Sequence, residues 1–340
     1  MPVISSVLPW HEESLRALVS RRDRMPHALL VSGPAGVGKG LFARSLAQTL
    51  LCEAPKGQLA CGECPACNWF SQGNHPDFRE VIPEADEESP EGDVDSDDAR
   101  ESKAKSLVIK IGQVRAVSDF MTLSTHRAGF RVLILRPAEA MQAAAANALL
   151  KTLEEPPPAT AIVLVSDQPS RLLPTIRSRC QTVILPAPPI ASALAWLRAQ
   201  SVESPEEVLA LAGGAPLLAR DLADSEAAAW RRRAIAELAR PDGAAALNFA
   251  AGIDKGRVEP LLFVLQTWVE DLVRVKSGAH PRRHRGSDGA LRAKARRARL
   301  DRLLGFDREL TQARRLANHP LNPRLFAEHL LLSYNRATLD

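Results

Sequence analysis

The sequence predicts an α/β domain with a parallel sheet, followed by a stretch built from helices alone. Three observations predict it. Short apolar runs alternate with segments of helical spacing as far as Leu185. Strands that are apolar on both faces belong to parallel sheets covered by helices on both sides. The run over residues 27–32 leads at once into a glycine-rich turn and then a helix, the order a phosphate-binding loop requires. After Pro186-Ala-Pro-Pro189 no convincing strand is found.

Taken in order, residues 10–21 read as a short helix and 27–32 as the first strand. Leu41, Phe42, Ser45, Leu46 and Leu50 share one face of a helix over 41–51. His75-Pro-Asp-Phe78 and Glu80-Val-Ile82 return the chain to the sheet. Residues 84–106 have almost no apolar content, cannot offset their chain entropy, and read as a disordered surface insert. A helix over 109–123 carries Ile111, Val114, Val117 and Met121. Strand 131–135 follows, then an Ala-rich helix over 138–155 stopped by Pro156 to Pro158. Strand 161–166, a short helix over 172–178 and strand 183–185 complete the sheet. Residues 190–224 read as a small helical unit broken at Gly213-Gly214, and 226–340 as four or five helices. Boundaries near 187 and 226 give domains 1–187, 188–225 and 226–340.

Composition agrees with this division. The 340 residues are 45% hydrophobic and 25% charged, enough for two or three domains with cores of their own. Aromatics are 4%, so those cores must be mostly Leu, Ala and Val. No apolar stretch approaches the ~18 residues that span a bilayer. The first residues lack the basic-then-apolar pattern of a signal peptide. A cytoplasmic protein with no membrane partner is the expectation. The net charge of +4 is uneven, because residues 84–101 hold ten acids and one arginine. The strongly basic remainder suits a nucleic-acid-associated assembly, and equally an Arg-rich soluble protein.

Gly33-Pro-Ala-Gly36-Val-Gly38-Lys39-Gly40 matches Gly-x4-Gly-Lys. Its glycines let backbone N–H groups face phosphate oxygens, and Lys39 would reach the outer phosphates of ATP or ADP. The Ser or Thr that would hold Mg²⁺ is replaced by Gly40. The motif predicts the loop's fold and leaves open whether nucleotide occupies it. At the end of strand 131–135, where a working ATPase needs carboxylates for Mg²⁺ and for the attacking water, stands Arg136-Pro137. Glu139 lies two residues too late to replace them. Neither a catalytic Mg²⁺ site nor hydrolysis is expected.

Cys52-x8-Cys61-x2-Cys64-x2-Cys67 offers four thiolates within sixteen residues. In a reducing compartment such spacing points to structural Zn²⁺, with a redox dithiol or an iron–sulfur site as alternatives. Lys56 lies near enough to suggest nucleic-acid contact, although a folding and docking role suits four closed ligands better. Cys180 stands apart and reads as a small buried residue.

Asn147 to Pro157, NALLKTLEEPP, followed downstream by Ser178-Arg179-Cys180, resembles the ATPase core of the clamp-loader subunits of bacterial replicative DNA polymerase. With the glycine loop and the four cysteines, the resemblance covers residues 27–185. It implies an AAA+ P-loop domain with an inserted zinc module (52–67), then a small helical lid and an all-α collar. It implies that Arg179 is a finger placed in trans on the ATP of a neighbouring subunit. It also implies partners: motor subunits and a delta subunit in a pentameric ring, and through them a sliding clamp and primed DNA. The lost metal ligands and the retained Arg179 fit a catalytically silent member of that assembly, a non-enzymatic part of the polymerase holoenzyme. An active motor-type ATPase and a zinc-dependent nucleic-acid-binding module remain as alternatives. Arg220, in the lid, has no assigned role. Residues 282–302 hold nine Lys or Arg against two Asp. They read as an exposed basic helix face after a flexible loop, with DNA contact as the other possibility.

Overall fold

The computed structural model describes residues 7–86, 106–122, 129–240, 244–317 and 321–339. The chain divides into two compact units, Met1–Pro189 and Ile190–Asp340.

The first unit is a five-stranded parallel sheet of β1 (Ala28–Ser32), β2 (Phe78–Val81), β3 (Arg131–Leu135), β4 (Thr160–Ser166) and β5 (Gln181–Ile184), in the order β2-β3-β4-β1-β5. Its helices are α1 (Glu12–Val19), α2 (Lys39–Leu51), α3 (Pro65–Ser71), α4 (Ile111–Thr122), α5 (Ala143–Glu154) and α6 (Pro174–Arg177). Every residue of β1, β3 and β4 is buried, as a sheet covered on both faces demands. Leu30, Leu133, Leu135, Ile162 and Leu164 form one core with Val114, Met121, Leu149 and Leu153 from α4 and α5. On the sheet, α2 packs against β1, β3 and β4.

Three expectations shift in this unit. The Ala-rich helix starts at Ala143 rather than 138, because residues Ala138–Ala140 form a separate 3-10 turn. The seven-residue α3 was not foreseen, since its N-cap is the sulfur of Cys64 rather than a Ser, Thr or Asp. Strand β5 begins at Gln181, two residues early, and its four residues are not buried as the central strands are. The expected acidic insert lies outside the described residues from Glu87 to Lys105. Its flanks are tied together: the Ala85 N–H donates to Ser106 O at 3.0 Å, and Lys110 pairs with Glu84 at 2.7 Å.

Among its described residues the second unit contains helices and no strands. A small group, α7 (Ile190–Ala199), α8 (Pro205–Leu211) and α9 (Pro216–Leu222), closes on Ala193, Leu197, Leu209, Ala212 and Ala219. Gly213 and Gly214, at φ of 68° and 93°, turn the chain between α8 and α9. A larger core then joins α10 (Ser225–Ala239), α11 (Ala244–Ala251), α12 (Lys255–Lys276), α13 (Asp288–Arg297), α14 (Leu300–Leu316) and α15 (Pro323–Thr338). That makes six described helices where four or five were expected. At its centre the fully buried Trp268 donates from Nε1 to the Tyr334 hydroxyl at 2.9 Å, which donates to Leu238 O at 2.8 Å.

The expected flexible loop before the basic stretch is instead pinned. The buried carboxylate of Asp271 on α12 accepts the backbone N–H groups of Arg282, Arg283 and His284 at 2.7–3.0 Å. The basic stretch is also less open than its sequence suggests. Lys294 is buried with its ammonium 5.2 Å from the centre of the Tyr334 ring, Arg292 pairs with Asp288, and Arg299 with Asp301.

Candidate functional site: a sealed phosphate loop and a presented arginine

The glycine loop sits where the sequence places it, between β1 and α2. Gly36 and Gly38 have φ of 76° and 99°. Gly33 is needed for space as well: a Cβ there would lie 2.1 Å from Leu185 O, just past β5. The loop is braced from the N-terminal side by residues that no motif marked. Trp10 donates from Nε1 to Val37 O at 3.0 Å. His11 is buried edge-on to Phe42, and neither of its ring nitrogens has a hydrogen-bond partner among the described residues.

Lys39 is turned inward. Its ammonium donates to Gly33 O at 2.9 Å and Pro34 O at 2.6 Å, and it forms an ion pair with Asp167 just past β4. The loop's cation is thus satisfied by the protein. Glu139 finds its role here. Its Oε1 accepts the N–H groups of Asp167 and Gln168 at 3.0 and 3.1 Å, so it fixes the turn that delivers Asp167. Freeing the lysine should favour an incoming phosphate. Asp167→Asn is expected to raise ATP affinity, by no more than about fivefold, the worth of an ion pair with one exposed partner. Titration with a fluorescent ATP analogue checks this, and unchanged affinity would mean the pair does not hold the loop shut.

Two arginines gather on Glu80, one of them beside Gly40. Arg136 lies against Gly40, its Cδ 3.5 Å from where a Cβ would stand. Its Nε donates to Glu80 Oε1, while Arg44 takes Glu80 Oε2. Two guanidiniums thus share the one Glu80 carboxylate.

Burial and the charge of Lys39 push the His11 imidazole down to about 4. Burial does the same to His284 in the second unit, where its Nε2 lies 3.1 Å from Thr267 Oγ1. Both rings are therefore neutral at pH 7. A folded-state value below the usual 6.5 favours folding fully above pH 6.5, and that contribution is lost as the pH falls towards 4. Thermal melts between pH 7.5 and 4 should show this loss, with a shallower decline in His11→Phe.

Arg179 lies between α6 and β5, half-buried. Its Nη1 donates to Thr175 O at 2.9 Å, and its Nη2 pairs with Glu154 Oε1 at 2.6 Å. Glu154 is the last residue of α5, inside the NALLKTLEEPP stretch. The two sequence segments singled out together thus meet in space, through a carboxylate the sequence had not identified as a partner. The neighbouring Cys180 is buried, which raises its thiol to about 11.

The four cysteines also converge. The sulfurs of Cys52, Cys61, Cys64 and Cys67 all lie within 4.8 Å of one another, with nearest separations of 3.6–3.9 Å. A tetrahedral ion with bonds of ~2.3 Å would hold its sulfurs roughly 3.8 Å apart, so the donor set fits Zn²⁺. Backbone N–H groups of Cys61, Glu63, Cys64 and Cys67 point at these sulfurs at 3.3–3.4 Å. Two of them, from Glu63 and Cys64, bring the Cys61 thiol down to about 6. Gly62, at φ 76°, shapes the turn between ligands. Lys56 is matched by Glu63 at 2.8 Å, and Arg16 of α1 donates to Gly57 O at 2.6 Å, docking the module on the domain.

A parallel sheet wrapped by helices, with a glycine loop between its first strand and the following helix, defines a P-loop α/β domain. The chain belongs to the family described as "DNA polymerase III, delta subunit", whose model matches residues 11–189. It is 41% identical over 223 residues to the DNA polymerase III subunit delta' of Pseudomonas aeruginosa, covering 64% of this chain and 62% of that protein. It is 34% identical over 213 residues to the subunit delta' of Escherichia coli, covering 61% and 58%. The chain thus matches about three fifths of the length of these two relatives. A DNA polymerase III gamma-subunit-related protein of Thermotoga maritima superposes over 95% of this chain and 99% of its own, at 18% identity and a TM-score of 0.44, too loosely to add to the argument. Among the described residues no helix is long and apolar enough to cross a membrane.

Proposed function

We propose that this chain is a clamp-loader subunit of the replicative DNA polymerase that hydrolyses no ATP and completes the ATP site of a neighbour. The observation that carries this reading is a contrast within one domain. The chain's own centre is closed by Lys39–Asp167 and by Arg136 and Arg44 on Glu80, while Arg179 is held at the surface by Glu154. A permanent planar cation suits charge that builds on a transferring phosphoryl group. In this reading residues 1–187 form an AAA+ module, 188–225 its lid and 226–340 a collar that joins a pentameric ring with motor and delta subunits. The ring places a sliding clamp on primed DNA. Cys52, Cys61, Cys64 and Cys67 hold a structural Zn²⁺, which supplies cross-linking and no reaction chemistry. Gly33, Gly36, Gly38 and Lys39 keep the shape of a nucleotide loop.

The test is ATP turnover by the chain alone and by a ring reconstituted with motor subunits, delta subunit, clamp and primed DNA. Silence alone with turnover in the ring is expected. Turnover by the isolated chain would return it to the active ATPases.

A further inference from the structure

The second unit holds a cleft of about 740 Å³ between the small helical group and α10 with the Asp271-pinned loop. Arg231 of α10 lines it and is only 7% exposed. Its Nη2 donates to Leu222 O at 2.7 Å. No carboxylate among the described residues pairs with it. Burial lowers its affinity for the proton, and the like charge of Arg232 acts in the same direction. Buried charges are as a rule paired or bound to a ligand, because an uncompensated one is costly.

The other charges on the cleft do not compensate it. Arg283 is matched by Glu270, Arg220 by Asp221, and Glu206 by Arg198. Asp224 accepts the N–H groups of Glu226 and Ala227 as the cap of α10. Arg232 and Arg285 also line the cleft and are exposed, as are Glu203, just before α8, and Glu207, in the first turn of α8.

We propose that this cleft is an anion site that takes a phosphoryl group on Arg231, with Arg232 and Arg285 closing over it. Guanidinium forks match phosphate oxygens, and a tetrahedral oxyanion can accept from several at once. The two facing glutamates disfavour a continuous run of backbone phosphates, so the ligand is a compact phosphorylated molecule. The volume admits one of nucleotide size. The site does not depend on the function proposed above.

Calorimetric titration of the full chain with inorganic pyrophosphate at fixed ionic strength tests it. Binding at one site is expected, weakened at least tenfold in Arg231→Met and measurably in the exposed double variant Arg232→Ala/Arg285→Ala. The double variant decides the matter if Arg231→Met does not fold. No binding by the unaltered chain, or full affinity in the double variant, overturns the proposal. So does binding that survives Arg231→Met and vanishes in Lys39→Met, which would put the anion in the glycine loop. A single-stranded oligonucleotide that fails to displace pyrophosphate supports a small-molecule ligand. Displacement would overturn that choice of ligand.

Discussion

In the proposed ring, Arg179→Ala is expected to slow ATP hydrolysis by roughly 10³-fold or more, the range found for arginine fingers, without dissolving the assembly. A purely structural role would show as lost stability instead. Among the described residues Arg179 makes two polar contacts, to Thr175 O and Glu154. Both leave N–H groups of the fork unused. An exposed pair of this kind adds about 1 kcal/mol or less to stability, so the alanine variant should melt close to the unaltered chain. Glu154→Gln makes the useful comparison. It leaves the cation and the Thr175 contact in place and removes only the ionic hold. A smaller loss of turnover is expected, from less exact placement rather than from missing charge. Arg179→Lys should not rescue, because an ammonium does not reproduce the planar fork. If single-turnover hydrolysis is equal in rings built with the unaltered chain and with Arg179→Ala, the finger assignment is wrong and the residue only joins α5 to the turn before β5.

Cys64→Ser is expected to abolish metal binding and to loosen the segment from Cys52 to Ser71. Cys64 has two jobs: its sulfur belongs to the four-sulfur cluster, and it accepts the Cys67 N–H that starts α3. Structural zinc supplies ~10–16 kcal/mol of apparent folding energy in small peptides that have little else. Here the module is docked on a domain with its own core, so the expected cost is a fraction of that, several kcal/mol, read as a lower Tm of the first unit. A chelator should reproduce the shift in the unaltered chain and leave the variant unmoved. Cys180→Ser is the control and should keep its metal. One equivalent of zinc retained by Cys64→Ser would show that the cluster is not the ligand set.

The central strands were legible because β1, β3 and β4 are buried on both sides, and burial of that kind leaves uninterrupted apolar runs in sequence. The phosphate loop and cysteine knuckle were legible because each depends on residues at fixed local spacing. The pieces that remained hidden are partnerships across long chain separations. Glu154 with Arg179, Asp167 with Lys39, and Glu80 with Arg136 and Arg44 depend on strand order, which brings distant segments together, the first pair before the strands begin and the others on the strands, just past them or on α2. Trp10 and His11 carried no motif because any aromatic pair of the right shape can brace a loop. The pinned 282–284 segment was misread as flexible because a basic, glycine-containing run looks solvated until a buried acid such as Asp271 is found beneath it. Helix α3 was missed because sulfur is not a usual cap.

A phosphate loop closed by its own lysine and aspartate has a thermodynamic consequence. Proteins that bind nucleotide only when folded gain stability as free ligand rises above its dissociation constant, by RT ln(1 + [L]/Kd). In this chain Asp167 and two backbone carbonyls already occupy Lys39, so any ligand must first compete with an intramolecular partner that is never diluted. Any rise in the unfolding temperature of the first unit with ATP should therefore be smaller than in Asp167→Asn, by at most about 1 kcal/mol of ligand stabilisation. The pair thus damps, by that small amount, how far the unit's persistence would follow the energy charge of the cell.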